Sequence, residues 1–117
     1  MATYHLVPRE EYERGDLAAD YLPSAYEADG FIHLTDGADE LAATGNRHYR
    51  ADARPFLALV IDLGRVKAPV RYEDPRRVYP HIYGPLNRDA IVAVLDVPRA
   101  ADGTFLPLPD APLGDET

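Results

Sequence analysis

Phe56-Leu57-Ala58-Leu59-Val60-Ile61 is an unbroken apolar, β-prone run. A strand that faces water on one side alternates polar and apolar residues. One that does not alternate is covered on both faces. The pattern predicts a central strand over Phe56–Leu63, punctuated by Gly64, with other elements packed above and below it. The chain has 117 residues, the ordinary size of one domain. A chain this long buries roughly two-thirds of its unfolded surface, enough for one domain and too little for two.

The other elements arrange themselves around that strand. Thr3–Val7 reads as a first strand closed by Pro8. Pro8 then opens a short helix, with Glu10, Glu11 and Glu13 in the turn where the helix dipole favours anions and Gly15 at its end. Residues 20–30 carry Pro23 and close on Asp29-Gly30, a loop and turn signature. Phe31-Ile32-His33-Leu34-Thr35 alternates and predicts a strand. Asp36 is placed to cap a helix running to about Arg50, weakened by Gly45. Val70–Glu73 and Arg77–Tyr79 read as short extended pieces, and Pro80–Leu86 as a proline-bracketed loop. Ala90–Val97 is the second strongly apolar strand; Asp102-Gly103 makes a turn and Thr104–Leu106 an edge strand. Strands outnumber helices without alternating with them, so the expectation is α+β: one mixed, strongly bent sheet and two short helices. Residues 1–117 read as a single domain, with 108–117 an acidic tail expected to fray.

Composition removes several function classes. Cysteine is absent, which excludes disulfides, thiolate ligands and a cysteine nucleophile. The net charge is −8 and the basic residues are scattered, which argues against a duplex nucleic-acid partner. No apolar run approaches the roughly 18 residues of a membrane span, and the start lacks a signal-peptide pattern. A cytoplasmic protein is expected, and a small phosphorylated ligand stays compatible with this charge. Ser24 is the only serine and has no Gly-x-Ser-x-Gly elbow. Neither a P-loop nor Gly-x-Gly-x-x-Gly occurs. The histidines His5, His33, His48 and His81 lack metal-ligand spacing, so no zinc or iron is expected.

Two segments carry candidate chemistry. In an extended strand His33 shares a face with Phe31 and Thr35, opposite Ile32 and Leu34. Side by side His33 and Thr35 suit a ligand hydroxyl or carbonyl, since both donate and accept; the pattern equally suits a half-exposed strand with two ordinary polar residues. His81 and Tyr83 stand two apart between Pro80 and Pro85, a rigid setting of the kind that carries binding sites. The same pair would serve a packed turn bonded to its own backbone.

Tyr4-His5-Leu6-Val7, Tyr21-Leu22-Pro23-Ser24, Gly30-Phe31-Ile32-His33-Leu34-Thr35 and Pro80-His81-Ile82-Tyr83-Gly84-Pro85-Leu86, closed by Asp102-Gly103-Thr104-Phe105, resemble the domain of unknown function 952 family from about Thr3 to Pro107. That family's fold is regarded as similar to the ADP-ribosyltransferase and RNA 2′-phosphotransferase group. The resemblance therefore implies an ADP-ribosyltransferase-like fold and a pocket for NAD or a related nucleotide. It implies transferase chemistry in which the nicotinamide–ribose bond breaks through an oxocarbenium-like state. His5 takes the place of that group's first-strand ligand histidine, although Leu6-Val7 replace its Gly-Thr. His33 and Thr35 match a ligand-binding strand. Tyr21 and Tyr83 would stack on the ligand, His81 would bind it as a catalytic group, and Glu73 is the nearest counterpart of the catalytic acid. Two alternatives stand beside this: a non-catalytic small-ligand sensor, and a metal-dependent hydrolase, which needs three histidines to converge.

Overall fold

The computed structural model describes residues 2–109. Its elements in chain order are β1 (Thr3–Pro8), α1 (Arg9–Arg14), α2 (Tyr26–Asp29), β2 (Ile32–His33), β3 (Thr35–Asp36), α3 (Ala38–His48), β4 (Phe56–Ile61), β5 (Val70–Tyr72), β6 (Pro80–Ile82) and β7 (Ile91–Asp96). The strands form two sheets, β3-β1-β4-β7 and β2-β6-β5, and every pairing is antiparallel.

All six residues of β4 are buried, and the layers explain why. Leu57, Leu59 and Ile61 join Val7 against Ile32 and Ile82 of the smaller sheet, with Tyr21, Leu34, Leu86 and Ala90 completing that core. On the opposite face Phe56, Ala58 and Val60 join Tyr4 against Leu41 of α3 and against Val97, Phe105 and Leu108 of the C-terminal segment. The larger sheet is thus a middle layer between a second sheet and a helix. Each large side chain buried this way contributes about 1.5–3 kcal/mol. Among the described residues no helix is long and apolar enough to cross a membrane.

The α+β class is what the sequence predicts, and the finer architecture departs from it. Among the described residues the one mixed, strongly bent sheet is instead two separate antiparallel sheets, neither closed, and there are three α-helices where two were expected. The predicted Phe31–Thr35 strand explains the split. Ile32 and His33 pair with β6, whereas Thr35 and Asp36 pair with β1, so the chain changes sheets at Leu34. Pro80–Ile82, expected as loop, is the central strand of the smaller sheet, and the piece expected over Arg77–Tyr79 is no strand. Proline is tolerated as the first residue of a strand, and the Pro80 carbonyl still accepts the Leu34 N–H at 2.9 Å. Thr104–Leu106 forms no strand; Phe105 makes a single bridge to Arg99. Leu108 is packed in the second core, while 110–117 lie outside the described residues.

Asp36 does not cap α3. Gly37 holds the N-cap at φ 93°, a left-handed value that favours glycine. The Asp36 carboxylate instead accepts from the Thr3 hydroxyl and the Tyr72 hydroxyl, each at 2.5 Å, tying the two sheets together.

Gly45 is a packing residue. A Cβ there would stand 2.5–2.9 Å from ring atoms of Phe105. Gly45→Ala should raise intrinsic helix propensity by roughly 1 kcal/mol but overpack the ring by about 1–3 kcal/mol. A net loss of stability in urea unfolding is expected. Stabilisation would show that Phe105 does not press on this face of α3.

Candidate functional site

The register of the smaller sheet brings the two sequence-predicted segments together. His33 and His81 are direct cross-strand partners, and Arg71 is the partner of His81 on the other side. Because side chains alternate, Ile32 and Ile82 point into the core, and the histidines project from the opposite face. Their ring centroids are 5.6 Å apart. Phe31 stacks on His81 at 4.0 Å with an interplanar angle of 12°.

Each imidazole is held by a carboxylate. His81 Nδ1 lies 3.3 Å from Glu73 Oε1, and His33 Nε2 lies 3.0 Å from Asp29 Oδ2. In each case the ring N–H donates to the carboxylate, leaving His81 Nε2 and His33 Nδ1 as the free ring atoms. Such an arrangement fixes tautomer and orientation. The Tyr83 hydroxyl also donates to Glu73. That bond, aided by His81, holds the Glu73 carboxyl below the usual range and raises the Tyr83 phenol.

His5 stands behind this pair. It is 5% exposed. Its Nδ1 is 2.8 Å from the His33 carbonyl oxygen, and its Nε2 is 2.8 Å from the Tyr21 hydroxyl. A carbonyl only accepts, so Nδ1 carries the proton and Nε2 accepts from Tyr21. Burial pushes the His5 pKa down to about 4 and raises that of the Tyr21 phenol. The neutral ring thus braces the strand that presents His33.

His5, His33, Thr35 and His81 all line one open cleft of about 690 Å³, within the size range of small-molecule sites. Tyr83 and Glu73 flank His81 outside that lining, and Tyr21 lies in the core beneath His5. Sequence reasoning missed Phe31 and Asp29, and with them Glu11, Thr44 and Arg47 on the cleft wall. Thr44 and Arg47 carried one signal, helical spacing, because with His48 they share one face of α3. All four histidines reach the cleft. Among the described residues, however, no three His, Asp or Glu side chains converge in a metal-holding group.

The three acids on the cleft wall are engaged internally. Glu11 accepts the Ser24 N–H at 2.9 Å, Asp29 holds His33, and Asp74 accepts the Val78 and Tyr79 N–H groups, both at 3.0 Å. The arrangement offers an incoming molecule an aromatic platform, two oriented imidazoles and hydroxyl groups.

Residues 6–94 match the family described as protein of unknown function (DUF952), and the chain belongs to that family. No curated protein sequence matches it. The chain is similar in fold to protein CC0527 from Caulobacter crescentus. The crystal structure of that protein is 22% identical, with a TM-score of 0.75 over 91% of this chain and 94% of that one. Its solution NMR structure is 24% identical, with a TM-score of 0.69 over 87% and 89%.

Proposed function

We propose that this member of the DUF952 family binds a small molecule of the nucleotide class in the histidine cleft, with NAD or ADP-ribose as the leading ligands. The observation that carries the reading is the cross-strand His33–His81 pair, each ring oriented by its own carboxylate beside the stacked Phe31. A flat aromatic surface suits a base, and fixed imidazole nitrogens suit ribose hydroxyls. The ADP-ribosyltransferase-like fold belongs to the same proposal.

Transfer chemistry follows from the His81–Glu73 pair. In NAD the bond between ribose C1′ and the nicotinamide nitrogen would break, its electron pair leaving with nicotinamide. An acceptor hydroxyl would add at C1′ and give its proton to His81 Nε2, while Glu73 on Nδ1 balances the charge. His33 and Thr35 would hold ribose hydroxyls. His5 and Tyr21 would act by bracing the His33 strand, and Tyr83 by seating Glu73.

A second reading, binding without chemistry, is favoured by one observation. Glu73 lies outside the cleft lining, and Glu11, Asp29 and Asp74 are each turned to a protein N–H, so among the described residues no cleft carboxylate is left without a protein partner to turn toward a developing cation at C1′. Following NAD by proton NMR separates the two readings. Enzyme-dependent release of nicotinamide, lost in His81→Ala, supports transfer; unchanged NAD with saturable binding supports a sensor.

Binding itself is tested by titration calorimetry with NAD, ADP-ribose and AMP. His81→Ala should weaken affinity by about 1–2 kcal/mol, the loss of one or two ligand hydrogen bonds, with the far-UV spectrum unchanged. No heat with any adenine nucleotide, or equal affinity in the variant, overturns the reading.

A further inference from the structure

Thr44, Arg47 and His48 stand at i, i+3 and i+4 on α3, so they present one face of the helix. All three line the histidine cleft. Arg47 is the one arginine or lysine among the described residues lining it.

The other basic side chains are mostly committed elsewhere. Arg9, Arg50, Arg54, Arg65 and Arg76 form ion pairs. Arg88 and Arg99 donate to backbone carbonyls and lie over aromatic rings. Arg71 and Arg77 stack on Tyr83 and Tyr72. Arg47 has no ion pair or hydrogen bond among the described residues. Glu40, two turns earlier on the same helix, is taken by Arg76 and by the Tyr79 hydroxyl.

Glu11, Asp29 and Asp74 keep their charge but are directed at Ser24, His33 and the 74–79 turn, so none of them pairs with Arg47. A second, independent observation comes from Thr44. Its Oγ1 is buried and has no hydrogen-bond partner among the described residues. A buried hydroxyl left unpaired is costly, and Thr44 does not make the bond to the carbonyl one turn back that a helical threonine can make. Thr44 itself lines the cleft, and a rotation of its side chain would turn the hydroxyl toward an acceptor oxygen there.

We propose that Thr44, Arg47 and His48 form an anion subsite that seats a phosphate of the ligand, while Phe31 and His81 take its ring. The subsite gives the proposed nucleotide reading a polarity, and it rests on that reading for the identity of the whole ligand. It singles out phosphorylated ligands over bare nucleosides. It also offsets the repulsion that a protein of net charge −8 exerts on a phosphate. Guanidinium suits the task because its planar fork grips two phosphate oxygens.

The test compares adenosine, AMP and inorganic pyrophosphate on the wild type, Arg47→Ala, Arg47→Lys, Thr44→Val and the charge control Arg14→Ala. Arg14 is an exposed α1 residue outside this cleft. AMP should bind the wild type at least about tenfold more tightly than adenosine, the worth of a charge-assisted contact. Arg47→Ala should remove that advantage and leave adenosine affinity in place. Arg47→Lys should keep part of it, Thr44→Val should lower it, and Arg14→Ala should change nothing. Equal binding of AMP and adenosine, or equal effects of Arg47→Ala and Arg14→Ala, overturns the subsite and leaves the nucleotide reading standing. If neither AMP nor adenosine binds, the nucleotide reading fails on its own and pyrophosphate decides. Arg47-dependent shifts of the Thr44 and His48 amide signals support the subsite, and their absence overturns it.

Discussion

Replacing Phe105 with alanine is expected to cost about 3–5 kcal/mol of stability, the range for truncating a buried aromatic residue. The ring is 2% exposed and sits at the point where the C-terminal segment closes the second core. It meets Phe56 edge-on at 5.3 Å and presses against Gly45. Its backbone is clamped by Asn46, whose Oδ1 accepts the Phe105 N–H at 2.6 Å and whose Nδ2 donates to the Phe105 carbonyl at 3.0 Å. Arg99 lies 3.9 Å over the ring and, from that position, donates to the carbonyls of Asp52 and Arg54. Removing the ring therefore opens a cavity and frees the arginine that ties down the loop after α3. A domain of this kind has about 5–15 kcal/mol in total, so the variant should unfold at much lower urea concentration. Phe105→Leu, which refills most of the volume, should recover more than half of the loss. A cost below about 1 kcal/mol for the alanine variant would mean that this segment does not close the core. Because α3 also carries Thr44 and Arg47, the destabilised protein should bind phosphorylated ligands less well at temperatures where helix packing is already loosened.

What could be read in the sequence follows from where the deciding physics lies. Phe56–Ile61 announced a strand covered on both sides because nothing in it tolerates water, and the structure puts it in the middle layer. Pro8 and the acids behind it marked α1 by local chemistry alone. Pro80–Ile82 was misread for the opposite reason. Local rules see a proline and predict a loop, whereas the strand exists because two neighbours, β2 and β5, supply its hydrogen bonds. The change of sheet at Leu34 and the helix-capping role of Gly37 in place of Asp36 are likewise set by distant partners.

The candidate site divides along the same line. His33 and His81 were legible because i, i+2 spacing in β-prone segments fixes which side chains share a face, and one antiparallel pairing makes them neighbours. Phe31 belonged to the same pattern and was passed over as an ordinary apolar residue. Arg47, Thr44 and Glu11 lie on helices whose approach to that face depends on tertiary packing, which no spacing within the chain encodes. His5 was named through the family resemblance as a ligand group. In the structure both its nitrogens are occupied by the protein itself, an arrangement that suits bracing.

That bracing makes His5 the centre of a large pH effect. In the unfolded chain its pKa is near the ordinary value of about 6.5, and burial in the folded protein lowers it to about 4. Between those values the unfolded state holds a proton that the folded state excludes, so stability rises with pH across the window. Acidification from pH 7 towards 4 should therefore remove about 3 kcal/mol through this residue, with a slope of at most about 1.4 kcal/mol per pH unit. The cause is desolvation. A protonated ring could keep its bond to the His33 carbonyl, but its second N–H and its charge would be shut away from water beside Tyr21. Carboxylates act in a lower window. Asp102, held at about 2 first by the Thr104 hydroxyl and then by the Thr104 N–H and Arg50, loses its contribution only as pH falls below its ordinary value near 3.8. His5→Asn keeps an N–H donor near the Nδ1 position and removes the titration. Urea unfolding at intervals from pH 7 to pH 4 should show wild-type stability falling more steeply than that of His5→Asn, with the gap between the two curves widening to about 3 kcal/mol. Parallel curves across the whole range would mean that His5 takes up a proton in the folded protein as readily as in the unfolded chain, and the buried neutral imidazole that braces the cleft would have to be abandoned.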